Sequence, residues 1–487
     1  MTNGPIKPPK KVAGQGLLLI LPRPKLYLVP FVSMGKFIRL SKGFNINLTG
    51  KATAKIAEVE TPETVCIKPS DFHGIYMPKV VVKQGDTVKA GTPLFHDKKH
   101  ENIQFTSPVS GEVVDVKRGE KRSLIEVKIL ADRKNEFENF GKFSVSDIAN
   151  LPAANVKEIL LRSGAWLNLV QRPYGIVADP AATPKAIHIS AFDTSPLAPD
   201  YSFIFKGQDQ FFQVGVDILK KLTSGEVHVN VHTTSEISTV FSQVKGAEVN
   251  KFSGPHPAGC VGVQIHHVDP INKGDVVWTI NPFGVIQIGK LFLNGILDCS
   301  KIVAVAGSEV KTPQYYKTVT GGSVKKLLAG NLNHEHVRVI SGNVLTGTNI
   351  GQDGHLGFYD HQVTVLPEGD NYEFLGWITS GANKLSVHRA WGLFSFLTPG
   401  KEYKLSTNTH GEHRSFVQSG VFENLVPMDI LPTHLLKSIL AEDIDEMEGL
   451  GIYEVIEEDF ALCEFADVSK HNVQEILREG IELIRLS

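Results

Sequence analysis

From Lys68 to Leu130, glycine and proline recur at the spacing of tight β turns, which leaves room only for short strands. Val80-Val81-Val82 runs into Gln84-Gly85-Asp86, and Val88 leads to Gly91 and Pro93-Leu94-Phe95. Pro108, Gly111, Val113-Val114, Val116 and Gly119 then repeat the pattern. Strands this short contribute two or three residues each to a core, so the segment predicts a compact all-β sandwich.

That module is similar to biotinyl and lipoyl domains, which present a lysine at the tip of an exposed hairpin. The matching hairpin here is His96-Asp97-Lys98-Lys99-His100. Biotin carriers place Met on both sides of the lysine, and neither Lys98 nor Lys99 has one. The fold is therefore expected with the lysine unmodified. An acyl or carboxyl carrier using Lys98 or Lys99 is the rival reading.

The flanking regions have other textures. Residues 1–33 are rich in Pro and Lys and read as an extension. Lys36 to Leu48 alternates apolar and polar residues around a glycine turn, as a half-buried strand does. From 131 to 300 strand and helix patterns alternate. One helix is expected within Val145–Ala165, with Val156, Ile159, Leu160 and Ser163 on one face. Others are expected at Phe211–Leu222 and Glu236–Val244, and strands at Ile187–Phe192 and Val227–Val231. This alternation predicts an α/β layer with a largely parallel sheet. Residues 301–350 read as a small α+β unit, with strands at Ile302–Ala306 and Val337–Ser341 and a helix at Ser323–Leu328. From 351 to 487 strands mix with helices. Thr433–Leu440 is helical, and Val473, Ile476, Leu477, Ile481 and Ile484 define an amphipathic final helix.

Composition excludes some functions. Lys plus Arg (50) nearly equals Asp plus Glu (52), which gives no electrostatic footprint for nucleic acid. No stretch approaches the ~20 apolar residues of a membrane span, so membrane contact is expected only through partners. Cys66, Cys260, Cys299 and Cys463 are widely spaced and form no CxxC pair, as buried thiols in a reducing compartment would.

Four motifs compete for chemistry. Gly284-Val285-Ile286-Gln287-Ile288-Gly289-Lys290 fits GxxxxGK, yet its interior is β-branched and Leu291 stands where Mg²⁺ chemistry needs Ser or Thr. A packed segment is expected there, not a nucleotide hydrolase. His334-Glu335-His336 and His410-Gly411-Glu412-His413 lack a third ligand nearby, so no metal site is assigned. Gly254-Pro255-His256-Pro257-Ala258-Gly259, running into Cys260-Val261-Gly262, is the loop of interest. Its prolines fix φ and its glycines allow unusual backbone, so it either positions N–H groups while His256 donates a hydrogen bond or proton to a carbonyl oxygen, or is a stiff structural loop between layers.

The same loop, with Val276-Val277-Trp278-Thr279-Ile280, Ile288-Gly289-Lys290-Leu291-Phe292 and Val339-Ile340-Ser341-Gly342, strongly resembles the A subunit of the Na⁺-translocating NADH:quinone oxidoreductase. Arg172-Pro173-Tyr174, Ala191-Phe192-Asp193-Thr194, Val365-Leu366-Pro367-Glu368-Gly369 and Pro427–Thr433 match as well. The resemblance implies a multidomain α/β and α+β chain. Its parts would be a barrel-sandwich hybrid domain (34–130), a Rossmann-like α/β domain (131–300), an SLBB/ubiquitin-like α+β domain (301–350) and a mixed C-terminal domain ending in helices (351–487).

It also implies a peripheral subunit on the cytoplasmic face of the bacterial inner membrane. Its partners would be the other five subunits of a six-subunit complex, above all a membrane-embedded one. That complex reduces ubiquinone with electrons from NADH and exports Na⁺. This chain would hold no covalent cofactor, since flavins and iron–sulfur centres belong to other subunits. No catalytic residue is assigned to it, and the isolated chain is not expected to be catalytic. Gly254, Pro255, His256, Pro257, Ala258 and Gly259 are the candidates for a quinone pocket or a partner contact. The C subunit of the Rnf complex is a further relative in the first domains. It carries CxxCxxCxxxCP clusters, which are missing here. Two features depart from the family. Residues 1–33 have no counterpart, and no second cysteine follows Cys463 in Cys463-Glu464-Phe465-Ala466-Asp467.

Overall fold

The computed structural model describes residues 35–233, 239–370, 374–375, 384–387 and 400–487. The extension 1–33 and the first part of the Glu236–Val244 helix lie outside them; Thr239–Ser242 is helical.

The glycine-punctuated region forms two small sheets facing each other. One joins Thr64–Ile67, Leu124–Ala131, Gly111–Arg118 and Thr87–Val88, and the other joins Pro78–Val80, Pro93–Asp97 and Gln104–Thr106. Between them Leu94, Phe95, Phe105, Val113, Val127 and Ile129 have no exposed surface. The Phe95 and Phe105 rings stack at 4.5 Å. This is the barrel-sandwich block.

A seven-stranded sheet follows. Its spatial order is Phe37–Arg39, Glu248–Ser253, Val227–His232, Ala186–Ser190, Val277–Ile280, Val170–Arg172 and Ile176–Val177. The first five strands are parallel, Val170–Arg172 runs antiparallel to them, and Ile176–Val177 pairs antiparallel with Val170–Arg172. From Ala186–Ser190 the chain steps outward on one side through two strands, then returns to pair Val277–Ile280 on the other. The order therefore reverses between Ala186–Ser190 and Val277–Ile280, and the carboxyl ends of these strands open a crevice there.

The helix expected over Val145–Ala165 is two helices, Val145–Asn150 and Ala153–Ser163. Pro152 separates them: it offers no N–H, and it holds Leu151 extended (ψ 127°). Val156, Ile159, Leu160 and Ser163 are buried on one face of the second. The alternating run Lys36–Leu48 yields only the short strand Phe37–Arg39, because its one strand partner, Glu248–Ser253, is matched over three residues. Beyond it the chain turns to wrap the Gly254–Gly259 loop: Phe44 N–H donates to His256 O (2.8 Å).

A six-stranded mixed sheet contains Ser300–Ala306, Gln314–Val319, Val337–Ser341 and Thr348–Asn349. It also takes Gln362–Pro367 and, from far upstream, Thr53–Ala57. Helices Pro432–Leu440, Ile444–Gly449, Glu457–Ala466 and Val473–Leu486 close the chain. Leu435, Leu436, Phe460, Leu477 and Ile481 form the core between them.

Candidate functional site

Gly254–Gly259 leaves the carboxyl end of strand Glu248–Ser253 and enters helix Val261–Val268. The loop is tightly built. A Cβ on Gly254 (φ +145°) would lie 2.7 Å from Leu40 O, and one on Gly259 would lie 2.6 Å from Thr194 N. His256, Pro257 and Ala258 are buried, and the His256–Pro257 peptide is cis. His256 N–H donates to Asn45 Oδ1 (2.8 Å).

Thr194 Oγ1 accepts the Gly259 N–H (2.9 Å) and lies 3.1 Å from His256 Nδ1. The Thr194 hydrogen has no other acceptor among the described residues. The Thr194 backbone also hydrogen-bonds the imidazole, and Nε2 is buried without a partner among the described residues. Burial lowers the His256 pKa to about 4, against the pull of Asp193. His256 is thus neutral near pH 7, without an imidazolium proton to supply.

A buried polar network that periodicity did not reveal holds this loop. Gln264 Nε2 donates to Ala258 O (3.1 Å) and Ser190 Oγ (2.8 Å), and Ser190 Oγ lies 3.0 Å from Gly259 O. Asn230 Nδ2 donates to Gln264 Oε1 (2.9 Å), and Asn250 Nδ2 to Asn230 Oδ1 (3.2 Å). On the same sheet face the His188 and His228 rings stack at 4.5 Å. Buried amides satisfied in this way fix one geometry. The sequence signal was available: polar residues at every second position of strands expected to be buried.

Beside the loop, Arg172 is 1% exposed and pairs with Asp459 (3.1 Å) and Glu458 (2.7 Å). Burial opposes its charge, and the two carboxylates more than offset that, so its pKa is raised. Glu458 is pushed up to about 7 by burial, against Arg172. This cluster clamps the terminal helices onto the sheet. Gly262 permits the approach, since a Cβ there would sit 2.4 Å from Asp459 Oδ2.

A cavity of about 430 Å³ lies where the strand order reverses, between the carboxyl end of Val277–Ile280 and the six-stranded sheet. None of the Gly254–Gly259 residues line it. Phe205, Phe283, Ile286 and Phe358 give it apolar walls, and its polar lining includes Gln208, Asn281, Lys290, Asp298, Lys301, Lys317 and His361.

The remaining motifs resolve plainly. Gly284–Lys290 is the interior of helix Pro282–Asn294, with Val285, Ile286 and Ile288 buried. Gly289 lets that helix meet Phe211, whose carbonyl oxygen would be 1.9 Å from a Cβ. Lys98 and Lys99 are exposed at the hairpin, while His96 and Asp97 are buried. His334 and His336 are exposed and face Glu309 (3.8 Å) and Asp370 (2.7 Å). No cluster of three metal-ligating side chains and no helix long and apolar enough to cross a membrane occurs among the described residues. All four cysteines are free; Cys66, Cys299 and Cys463 are buried and Cys260 partly so.

Together these features define a modular α/β protein: a carrier-type β sandwich joined to a doubly wound sheet, a small mixed sheet and a helical end. Family models match all three sheet regions: the NqrA N-terminal barrel-sandwich hybrid domain over 38–132, the NqrA second alpha/beta domain over 151–297, and the NQRA C-terminal domain (SLBB) over 302–351. Curated relatives, each named as the A subunit of a Na(+)-translocating NADH-quinone reductase, align over 92% of this chain and 99% of their own length. They are 36% identical in Marinomonas sp. (strain MWYL1), 37% in Alcanivorax borkumensis and 38% in Serratia proteamaculans (strain 568). The chain belongs to the NqrA family, the A subunits of the Na⁺-translocating NADH-quinone reductase.

Proposed function

We propose that the chain is a peripheral subunit on the quinone-reducing side of its complex, which passes electrons from NADH to ubiquinone and exports Na⁺. The complex is a translocase, and this chain contributes to it without being catalytic alone. In this reading its partners are the other five subunits, with a membrane-embedded one nearest, and it sits at the cytoplasmic face of the inner membrane. NADH, flavins and iron–sulfur centres are handled by those other subunits. The division into 34–130, 131–300, 301–350 and 351–487 is the working partition of these roles.

One observation carries the quinone assignment: His256 keeps a buried ring nitrogen, Nε2, without a described partner on a loop held rigid by the Gln264–Ser190 network. In the tautomer with its proton on Nε2, this neutral imidazole suits a quinone carbonyl, where a strong acid is not needed to bind the oxidised ring. Gly254, Pro255, Pro257, Ala258 and Gly259 shape and support that donor, and the same surface serves as a partner contact. The test is His256→Ala in the intact complex. Reduced ubiquinone reduction or altered sensitivity to quinone-site inhibitors is expected; unchanged values of both refute the role of the loop.

The barrel-sandwich block acts here as a docking and structural unit. The alternative, a lipoyl or biotinyl carrier, is favoured only by the exposure of Lys98 and Lys99 at the hairpin. Intact mass of the purified chain separates the two.

A further inference from the structure

The barrel-sandwich block and the last helix share a surface that the fold leaves open. Tyr76, Met77 and Val81 flank the strand Pro78–Val80 and are 57%, 55% and 51% exposed. Met77 O accepts the Lys98 N–H (3.1 Å), which sets the Lys98–Lys99 hairpin beside Met77. Lys79 pairs across the strands with His96, at the base of the same hairpin. Lys79, Lys98 and Lys99 are exposed and have no ion pair among the described residues. Glu101 is the exposed acid of that hairpin and leaves the border net positive. The surface therefore has an apolar centre and a basic rim.

Tyr76 is exposed yet held in one orientation. Its hydroxyl donates to Glu482 Oε2 and accepts from Arg485 Nη2, and the Arg485 guanidinium lies 4.8 Å from the ring centroid. Glu482 and Arg485 belong to helix Val473–Leu486 and bond to each other (2.7 Å). A side chain fixed before binding loses little rotamer freedom on association. Tyr, Met and Arg are enriched at protein interfaces, with polar residues at their rims.

A protein fits this surface better than a lipid. Pro78–Val80 is the end strand of its three-stranded sheet. Met77 and Val81 bond to Lys98 and Leu94 across the pair, so alternation turns the Val80 N–H and C=O to the open side. A partner's backbone can pair with these groups, whereas hydrocarbon would leave them unpaired. The basic rim selects a partner of opposite charge.

We propose that Tyr76, Met77 and Val81, bordered by Lys79, Lys98 and Lys99, form the surface on which an acidic segment of another subunit docks, with Tyr76 as its anchor. This rests on the reading of the barrel-sandwich block as a docking unit and gives that unit its contact face.

The test is lysine acetylation of the intact complex and of the isolated full-length chain, read by peptide mass spectrometry. Lys79, Lys98 and Lys99 should be labelled about fivefold more slowly in the complex, because a docked partner excludes water and reagent. Carbodiimide joins lysine to carboxylate without a spacer, and it should link at least one of the three to an acid of another subunit. Met77→Asp charges the apolar centre without touching the partners of Tyr76. It should lower the amount of chain retained by the complex about tenfold, with circular dichroism showing the variant folded. Equal labelling in complex and isolated chain overturns the proposal, as does full retention of Met77→Asp. Protection of the isolated chain by anionic phospholipid vesicles, with no carbodiimide link to a subunit, overturns it in favour of a lipid surface. A lipoyl or biotinyl increment on Lys98 or Lys99 overturns both the proposal and the docking reading. If the lysines are unprotected while loss of the chain abolishes ubiquinone reduction, this surface fails and the quinone-side reading stands.

Discussion

Replacing Arg172 with Met should loosen the terminal helices from the α/β sheet. Arg172 is 1% exposed, its partner Asp459 is fully buried at 3.1 Å, and Glu458 adds a contact at 2.7 Å. Removing one member of a buried pair strands the other, at about 3–5 kcal/mol. Part of this loss is avoidable, because a stranded Asp459 can take up a proton. Its pKa is already raised by burial against the pull of Arg172, and losing the guanidinium raises it further. The folded state then binds more protons than the unfolded one, so the variant loses stability as pH rises through the unfolded value of about 4 toward the folded value. The cost of Arg172→Met should therefore be smaller at pH 5 than at pH 8.

A chain of several domains has no single unfolding transition, so the suitable assay is amide hydrogen exchange over Glu457–Ala466. Where exchange there proceeds through release of this layer, the loss corresponds to roughly 10²- to 10³·⁵-fold faster exchange. Arg172→Met with Asp459→Asn should recover most of it, since no buried charge is left unpaired. Exchange within threefold of wild type for Arg172→Met alone, at both pH values, would refute the clamp.

Three other outcomes are expected. Burial lowers the pKa of His188, His256, His355 and His361, to about 4 for His256 and His355. Below about pH 6.5 the unfolded chain takes up protons that these buried rings refuse, so stability falls with pH, by up to about 1.4 kcal/mol per pH unit for each group. Amide exchange around these residues, corrected for the intrinsic rate and measured from pH 7.5 to 5, should quicken, and a flat profile contradicts this. Gly289→Ala sets a Cβ against the Phe211 carbonyl oxygen and should cost about 1–3 kcal/mol by overpacking, visible as faster amide exchange in helix Pro282–Asn294; unchanged exchange would show that the two helices separate freely. Intact mass should equal the unmodified chain, and a lipoyl or biotinyl increment on Lys98 or Lys99 would restore the carrier reading.

The sequence was most legible where spacing reports directly on burial. Gly85 and Gly91 mark sandwich turns, and Val156, Ile159 and Leu160 mark a helix face that the structure buries. Pro152 was equally visible, yet the long helical period hid the break it makes. Two strands could not be placed from local pattern. Thr53–Ala57 joins Gln314–Val319 some 260 residues away, and Phe37–Arg39 joins Glu248–Ser253. Such pairings depend on tertiary packing rather than on neighbouring residues.

The His256 loop stood out through its prolines and glycines, but what holds it did not. Gln264, Ser190 and Asn230 meet only when three separate segments assemble. The cavity was less legible still, because Phe205, Phe283, Lys301 and His361 come from different segments brought together at the strand-order reversal. Lys290, the last residue of the misleading GxxxxGK match, also lines it, paired with Asp298.

A quinone-side role within a sodium-translocating reductase is best tested on membrane complexes purified with and without this chain. Electron transfer from NADH is assayed to ubiquinone and to an artificial acceptor that bypasses the quinone site. The chain should co-purify with the complex, and its loss should abolish ubiquinone reduction while NADH oxidation by the bypass acceptor persists. Full ubiquinone reduction by a complex lacking the chain would contradict that role.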